Sequence, residues 1–303
     1  MAISRSQLVK ELEPGLNALF GLEYKRYENQ HAEIYTTESS DRAFEEEVML
    51  SGFANAQVKG EGAGVSFDEA QETFTARYTH ETVALAFAIT EEAIEDNLYD
   101  RLASRYTKAL ARSMSNAKQV KSVEPLINGL PSTGTFKSGD GVSLFSISHP
   151  TVAGTFKNTL TTQADLNETS LEQSLIDIAA MTDERGLRIA ARGVKMIIPS
   201  ELQFTAERLM KSQGRTSTAD NDINAIVSMG MIPQGYRVNN YLTDSDAFYI
   251  ITDVPNGMKM FQRAPLKTAM EGDFDTGNVR YKARERYSFG VSDFRGIFGV
   301  EGA

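Results

Sequence analysis

The longest periodic stretch of the chain runs from Thr90 to about Val123. Ile94, Leu98, Leu102, Tyr106, Ala109, Leu110, Met114, Ala117 and Val120 recur at steps of three and four, which places them on one face of an α-helix. No Pro or Gly interrupts the run. Thr90 is positioned to cap it, Glu91, Glu92, Glu95 and Asp96 sit at its positive end, and Arg112, Lys118 and Lys121 lie toward its negative end. At 1.5 Å per residue such a rod reaches about 50 Å. A compact domain of this size needs less, so the pattern predicts a spine that spaces two regions apart.

The other patterns arrange themselves around this spine. Residues 1 to about 40 read as an arm: a short helix carrying Leu8, Val9 and Leu12 that Pro14 and Gly15 break, then an apolar patch at Leu16, Leu19 and Phe20. From Ala43 to Ile89 the period changes to two. Phe74, Ala76 and Tyr78 alternate with polar residues, and Val83, Leu85, Phe87 and Ile89 alternate with small ones. The Gly-rich stretch between the first apolar run (Val48, Met49, Leu50, Phe53) and these strands predicts the tip of a long protruding hairpin. Beyond the spine, loops surround Val142–Ile147, and a second region opens near Leu166. It contains a helix capped by Asn167, a buried strand at Val194–Ile198, a helix after Pro199 and Ser200, a short helix at Ile223–Met229, strands at Tyr236–Asn239 and Ala247–Thr252, and a turn at Pro255–Gly257. Near the end, Val279, Tyr281, Ala283, Tyr287, Phe289 and Val291 fall on one face of a long strand and Arg280, Lys282, Arg284 and Arg286 on the other.

Composition narrows the chemistry. The 303 residues include 41% hydrophobic ones, enough for a real core, and no Cys, which removes disulfides and thiol chemistry. No apolar run is long enough to span a membrane, and the first residues lack a secretory pattern. A formal net charge of −10 argues against a surface built to grip duplex DNA. His31, His80 and His149 are far apart and in no metal-binding spacing, so an ordinary structural or surface role is expected for each. The glycines Gly60, Gly62 and Gly64 lack the surroundings of a phosphate loop. No catalytic constellation, cofactor motif or metal motif emerges. The basic face of the last long strand carries its aromatics on the opposite side, which favours salt bridges to acidic partners, including a neighbouring copy, over stacking against nucleic acid.

An arm, a hairpin, a spine, a separate α+β region and a returning strand describe a subunit built to overlap its neighbours. In this order, the chain resembles the major capsid proteins of tailed bacteriophages, whose shared architecture is the Hong Kong 97 type fold. The resemblance runs through nearly the full length. It rests on SSDRAFEEEV and GF before the hairpin, RYTHETVALAFAITEEAIEDNLY entering the spine and DGVSLFSISHP after it. It continues in TDERGLRIA, TADNDINAIVSMG, NYLTDSDAFYIITDVPNGMKMF, DFDTGNVRYKARERYSFG and FRGIFG. The resemblance implies an α+β fold with an N-terminal arm (1–43), an extended-loop β-hairpin (44–85), a peripheral domain with the spine (86–135 and 266–303) and an axial domain (136–265). Where relatives carry Trp and Pro near the final turn, this chain has Gly290, Val291, Ser292, Asp293 and Phe294. Some members crosslink through a lysine of the extended loop; Lys59 lies near the hairpin tip, but its Asn partner and catalytic carboxylate find no match.

The function implied is structural: a major capsid protein that self-assembles as pentamers and hexamers into an icosahedral head enclosing double-stranded DNA without sequence-specific binding. It would reside in the virion, with assembly in the host cytoplasm. Portal, scaffolding and decoration proteins are the expected partners beside the protein itself, with no membrane and no cofactor. Candidate contacts between subunits are Lys59, Glu61, Phe67 and Arg77 on the hairpin. Asp96, Asp100, Arg101, Arg105 and Lys108 on the spine flank are further candidates, as are Arg280, Lys282, Arg284 and Arg286 on the strand. An encapsulin-type compartment and a soluble two-domain α+β enzyme are the alternatives.

Overall fold

The computed structural model describes residues 5–90, 92, 99–214, 222–273 and 277–303, with 5–13 and 99–102 as backbone only. Helix α1 (Arg5–Arg26) and a 3-10 turn lead into β1 (Thr36–Ser39). The hairpin strands β2 (Phe44–Leu50) and β3 (Glu72–Thr79) follow, then β4 (Glu81–Ile89) and the spine α2 (Tyr99–Ile127). The small hairpin β5 (His149–Thr151) and β6 (Gly154–Phe156) precedes α3 (Glu168–Ala179), β7 (Gly193–Ile198), α4 (Gln203–Lys211), α5 (Ala225–Met229), β8 (Tyr236–Val238) and β9 (Phe248–Thr252). Two long strands, β10 (Met258–Gly272) and β11 (Val279–Val291), and the short β12 (Ile297–Val300) complete the chain.

Two four-stranded sheets organise these elements. The first has the order β1-β10-β11-β4, and the second β12-β9-β7-β8. The second sheet is buried on both faces. Met196, Ile198, Phe248, Ile250, Phe298 and Val300 face a core closed by α3, α4 and α5. The alternate residues Ile197, Tyr249 and Ile297 face a second core shared with Val123 and Leu126 of the spine and Met258, Met260, Tyr287 and Val291 of the first sheet. Double burial explains why these strands read as unbroken apolar runs in the sequence. A third core lies between α1, α2 and the first sheet, where Leu16, Phe20, Leu110, Met114, Tyr281 and Ala283 meet.

Four expectations change. The break at Pro14 and Gly15 does not occur: α1 continues through both. A proline inside a helix removes one donor, while Leu16 and Phe20 bury, and Asn17 accepts from Tyr281 Oη at 2.8 Å and Thr268 Oγ1 at 2.6 Å. The spine's buried face is rotated from the predicted stripe. Tyr106 and Val120 are 45% and 42% exposed, while Ala103, Thr107, Ala111, Ser115, Lys118, Gln119 and Ser122 are buried beside Leu110 and Met114. Polar partners on facing elements cause the rotation, as described below. The expected Thr90–Tyr99 entry into the spine lies almost wholly outside the described residues.

The third change is β10, a strand the sequence hides because Pro265 sits within it. Register shifts between Gln262 and Lys267 bracket that proline, and β1 pairs β10 only as far as Gln262, so no ladder partner loses a donor there. The fourth concerns the division of the chain. Strand β10 crosses the boundary drawn at 265, and β12 pairs with β9 in the second sheet, because Phe298 and Val300 fill its core.

Candidate inter-subunit surfaces

The hairpin is anchored at its base and bare at its tip. Lys259 of β10 bonds Glu47 at 2.5 Å and Glu38 at 3.1 Å. Burial alone would lower the Lys259 ammonium, but these two carboxylates outweigh it and hold it above the usual lysine range. Ser292 bonds both Glu47 and the Tyr78 hydroxyl. The Tyr78 ring lies against Gly290, where an added Cβ would come within 2.6 Å of a ring carbon. Between Ser51 and Gln71 the backbone bonds across the hairpin only at its ends, with Ala54 N–H donating to Asp68 at 2.7 Å lower on the tip. Arg185 reaches Asp68 at 3.6 Å from the turn after α3. Phe53, Val58, Val65 and Phe67 are exposed, with Phe67 at 97%. Lys59 and Glu61 are exposed beside them, and from Ser51 to Gln71 three acidic residues, Glu61, Asp68 and Glu69, accompany one lysine. Arg77 is exposed but engaged, stacked over Phe44 at 4.0 Å and 3.7 Å from Glu46.

On the spine, Arg105 and Lys108 are exposed. Asp96 lies outside the described residues, and Asp100 and Arg101 are described as backbone only. Tyr106, expected in the core, rests on the flank against Phe87 with ring centroids 5.8 Å apart.

The basic face of β11 is open. Arg280, Lys282 and Arg284 are exposed and Arg286 is half-buried. Pairing sets Lys267 of β10 beside Arg284 and Glu271 beside Arg280, while Ala84, Ala86 and Ala88 of β4 flank the row on its other side. Small neighbours leave the cations uncovered. Arg280 also bonds Asp273. Lys267 was missed because Pro265 obscured the alternation of β10. The helices cover the other side of the sheet, where Tyr281 and Ala283 pack against α1 and α2.

That covered side holds a residue the apolar pattern concealed. Glu285 falls on the buried face of β11 and accepts from Lys118 Nζ of the spine at 3.3 Å and from Tyr24 Oη of α1 at 3.4 Å. Burial raises the Glu285 carboxyl above its ordinary value, with Lys118 and Tyr24 opposing the shift. Gln119, one residue on, bonds the His31 backbone N–H at 3.0 Å and the ring Nδ1 at 3.1 Å. These contacts turn the polar residues of α2 inward. A buried pair of this kind fixes orientation more than it adds net stability.

All three histidines are buried. His31 meets Gln119, His80 meets Ser40 and Ser288 at 3.0 Å each, and His149 meets Asp140 and Asn158. Among the described residues no group of three or more His, Cys, Asp or Glu side chains is placed to hold a metal ion. Among them, too, no helix is long and apolar enough to cross a membrane. The glycines of the hairpin tip sit in open space and precede no helix.

Two sheets sharing a core, a spine and a protruding hairpin make up a fold that is found in particle structures. The virus-like particle from Pyrococcus furiosus superposes with a TM-score of 0.51 at 11% identity, covering 94% of this chain and 98% of that one. The capsid of Myoviridae phage XM1 gives 0.56 at 11%, covering 89% of each. The capsid of the empty GTA particle gives 0.55 at 15%, covering 90% and 89%. No curated protein matches the chain in sequence. The family model for phage capsid protein matches residues 72–300. The chain belongs to the phage capsid protein family, and the resemblance to tailed-phage major capsid proteins of the Hong Kong 97 type holds for family and fold. Its role is that of a structural shell protein.

Proposed function

We propose that the subunit builds an icosahedral head by laying its hairpin across the basic sheet face of the next copy, around rings of five and six. The observation that carries this reading is a pair of complementary surfaces left open on one chain. The hairpin tip is acidic and apolar. The sheet face carries Lys267, Arg280, Lys282, Arg284 and Arg286 against Glu271 and Asp273, so a face of +3 leaves −13 on the rest of a chain whose total is −10. A second copy therefore meets this face with predominantly acidic surface. Contacts between unlike surfaces of identical subunits close into rings when the rotation permits, and permanent interfaces of this kind bury upwards of about 2,000 Å² in total.

In this reading residues 1–43 form the arm, 44–85 the extended loop, 86–135 with β10 and β11 the peripheral domain, and 136–257 with β12 the axial domain. The mechanism is interface energy, with no bond chemistry. Double-stranded DNA is enclosed by a predominantly acidic shell that does not adsorb it. Assembly takes place in the host cytoplasm, with portal, scaffolding and decoration proteins as further partners.

Charge reversal tests the contact. Lys267→Glu with Arg284→Glu should leave the subunit's circular dichroism and melting temperature unchanged and abolish shells, and Glu61→Lys with Glu69→Lys should restore part of the yield. Normal shells from the first variant would exclude this face from the interface.

A further inference from the structure

Between the spine and the second region, residues 136–158 fold around a buried polar cluster. His149 and Asn158 are fully buried, and the Asp140 side chain is 1% exposed. The orientation of the Asn158 amide is fixed by its other partners. Its Nδ2 donates to Leu144 O at 2.8 Å and Phe294 O at 3.1 Å, and its Oδ1 accepts from Ser146 N–H at 3.0 Å. His149 Nε2 lies 3.0 Å from that same Oδ1, so Nε2 must carry a proton. On the other side of the ring, Nδ1 lies 2.6 Å from Asp140 Oδ2. The second oxygen of Asp140 accepts from the Ser138 hydroxyl and from Val142 N–H at 3.1 Å. Burial alone would raise the Asp140 carboxyl, but the donors from His149, Ser138 and Val142 outweigh it and hold it below the usual aspartate range. An ionised carboxylate facing Nδ1 calls for a proton there too.

We infer that His149 is an imidazolium in the folded subunit, both ring nitrogens donating, and that its ion pair with Asp140 is a clasp holding the 136–158 segment to the C-terminal turn. The ring stacks on Phe294 of that turn at 4.0 Å between centroids and 5° between planes. Arg295 lies over the Phe294 ring at 4.5 Å and is itself paired with Glu184 at 2.6 Å and Asp293 at 3.2 Å. Asp140 is thus the counter-ion of His149. The clasp also supports the hairpin: the neighbouring Gly139 packs so closely on β3 that a Cβ there would meet Phe74 at 2.8 Å and the Ala76 nitrogen at 3.0 Å.

Selective ¹⁵N labelling of histidine side chains, read at pH 8 on the full-length protein, tests this directly, in the solid state if the protein is assembled. One imidazole of three is expected with both nitrogens protonated, and its signal is lost in His149→Gln. Three neutral rings, or a charged signal that persists in that variant, would overturn the inference. If His149→Gln does not fold, His31→Phe and His80→Gln assign the signal by elimination: loss of the charged ring in either one contradicts the assignment.

Discussion

At the scale of single residues, the subunit uses buried polar groups to set how its elements sit on one another. His31 is the clearest case for pH. Burial lowers its imidazole to about 4, with the Lys118 charge adding to the effect, and Nδ1 accepts a bond that only a neutral ring can accept. The folded value lies below the unfolded one. Stability from this group is therefore complete above about pH 6.5 and is lost as pH falls toward 4, about 3 kcal/mol in all. Urea unfolding of dissociated subunits between those pH values should show a shallower acid loss in His31→Phe than in the parent protein; equal slopes would mean that His31 does not carry the effect. Neither this site nor the Glu285–Lys118 pair was legible in the sequence. Glu285 interrupts an otherwise apolar row, and a glutamate at such a position reads as an exception until the lysine opposite is seen. The same blindness rotated the predicted face of the spine, since Thr107, Ser115, Lys118, Gln119 and Ser122 are buried only because partners await them.

At the scale of elements, legibility followed the number of buried faces. Strands β7 and β9 are covered on both sides and stand out as apolar runs; β11, with one helix-covered face and one open one, stands out as an alternation. The helix at Glu168–Ala179 was placed from its cap, and Asn167 does accept from Ser170 N–H at 2.8 Å. Prolines misled in two places, Pro14 and Pro265, where tertiary packing or an unpaired edge position removes the usual cost. The hairpin was legible as a protrusion from its glycines, though its use of Lys259 as an anchor was not. Its tip lacks a continuous ladder and carries Lys59 in the open. Trypsin should therefore cut free subunits first after Lys59, and assembled particles should resist at that bond. Equal cleavage in both states would show that assembly leaves the tip uncovered.

For the whole molecule, the family match and the shared fold make this a shell subunit, and its physics is that of incompletely buried surface. One core joins the spine to both sheets, and further cores lie behind each sheet. What the subunit leaves open is unlike and complementary: an acidic, apolar-tipped hairpin and a basic face flanked by alanines. The order of arm, hairpin, spine and returning strand carried this conclusion from the sequence, while the exact contacts depend on how copies meet. Electron cryo-microscopy of the purified protein tests the point most directly. Closed shells with fivefold and sixfold clusters are expected, in which the 51–71 tip of one subunit crosses Lys267, Lys282 and Arg284 of the next. Particles that remain single subunits, or shells in which that basic face touches no neighbouring hairpin, would contradict it.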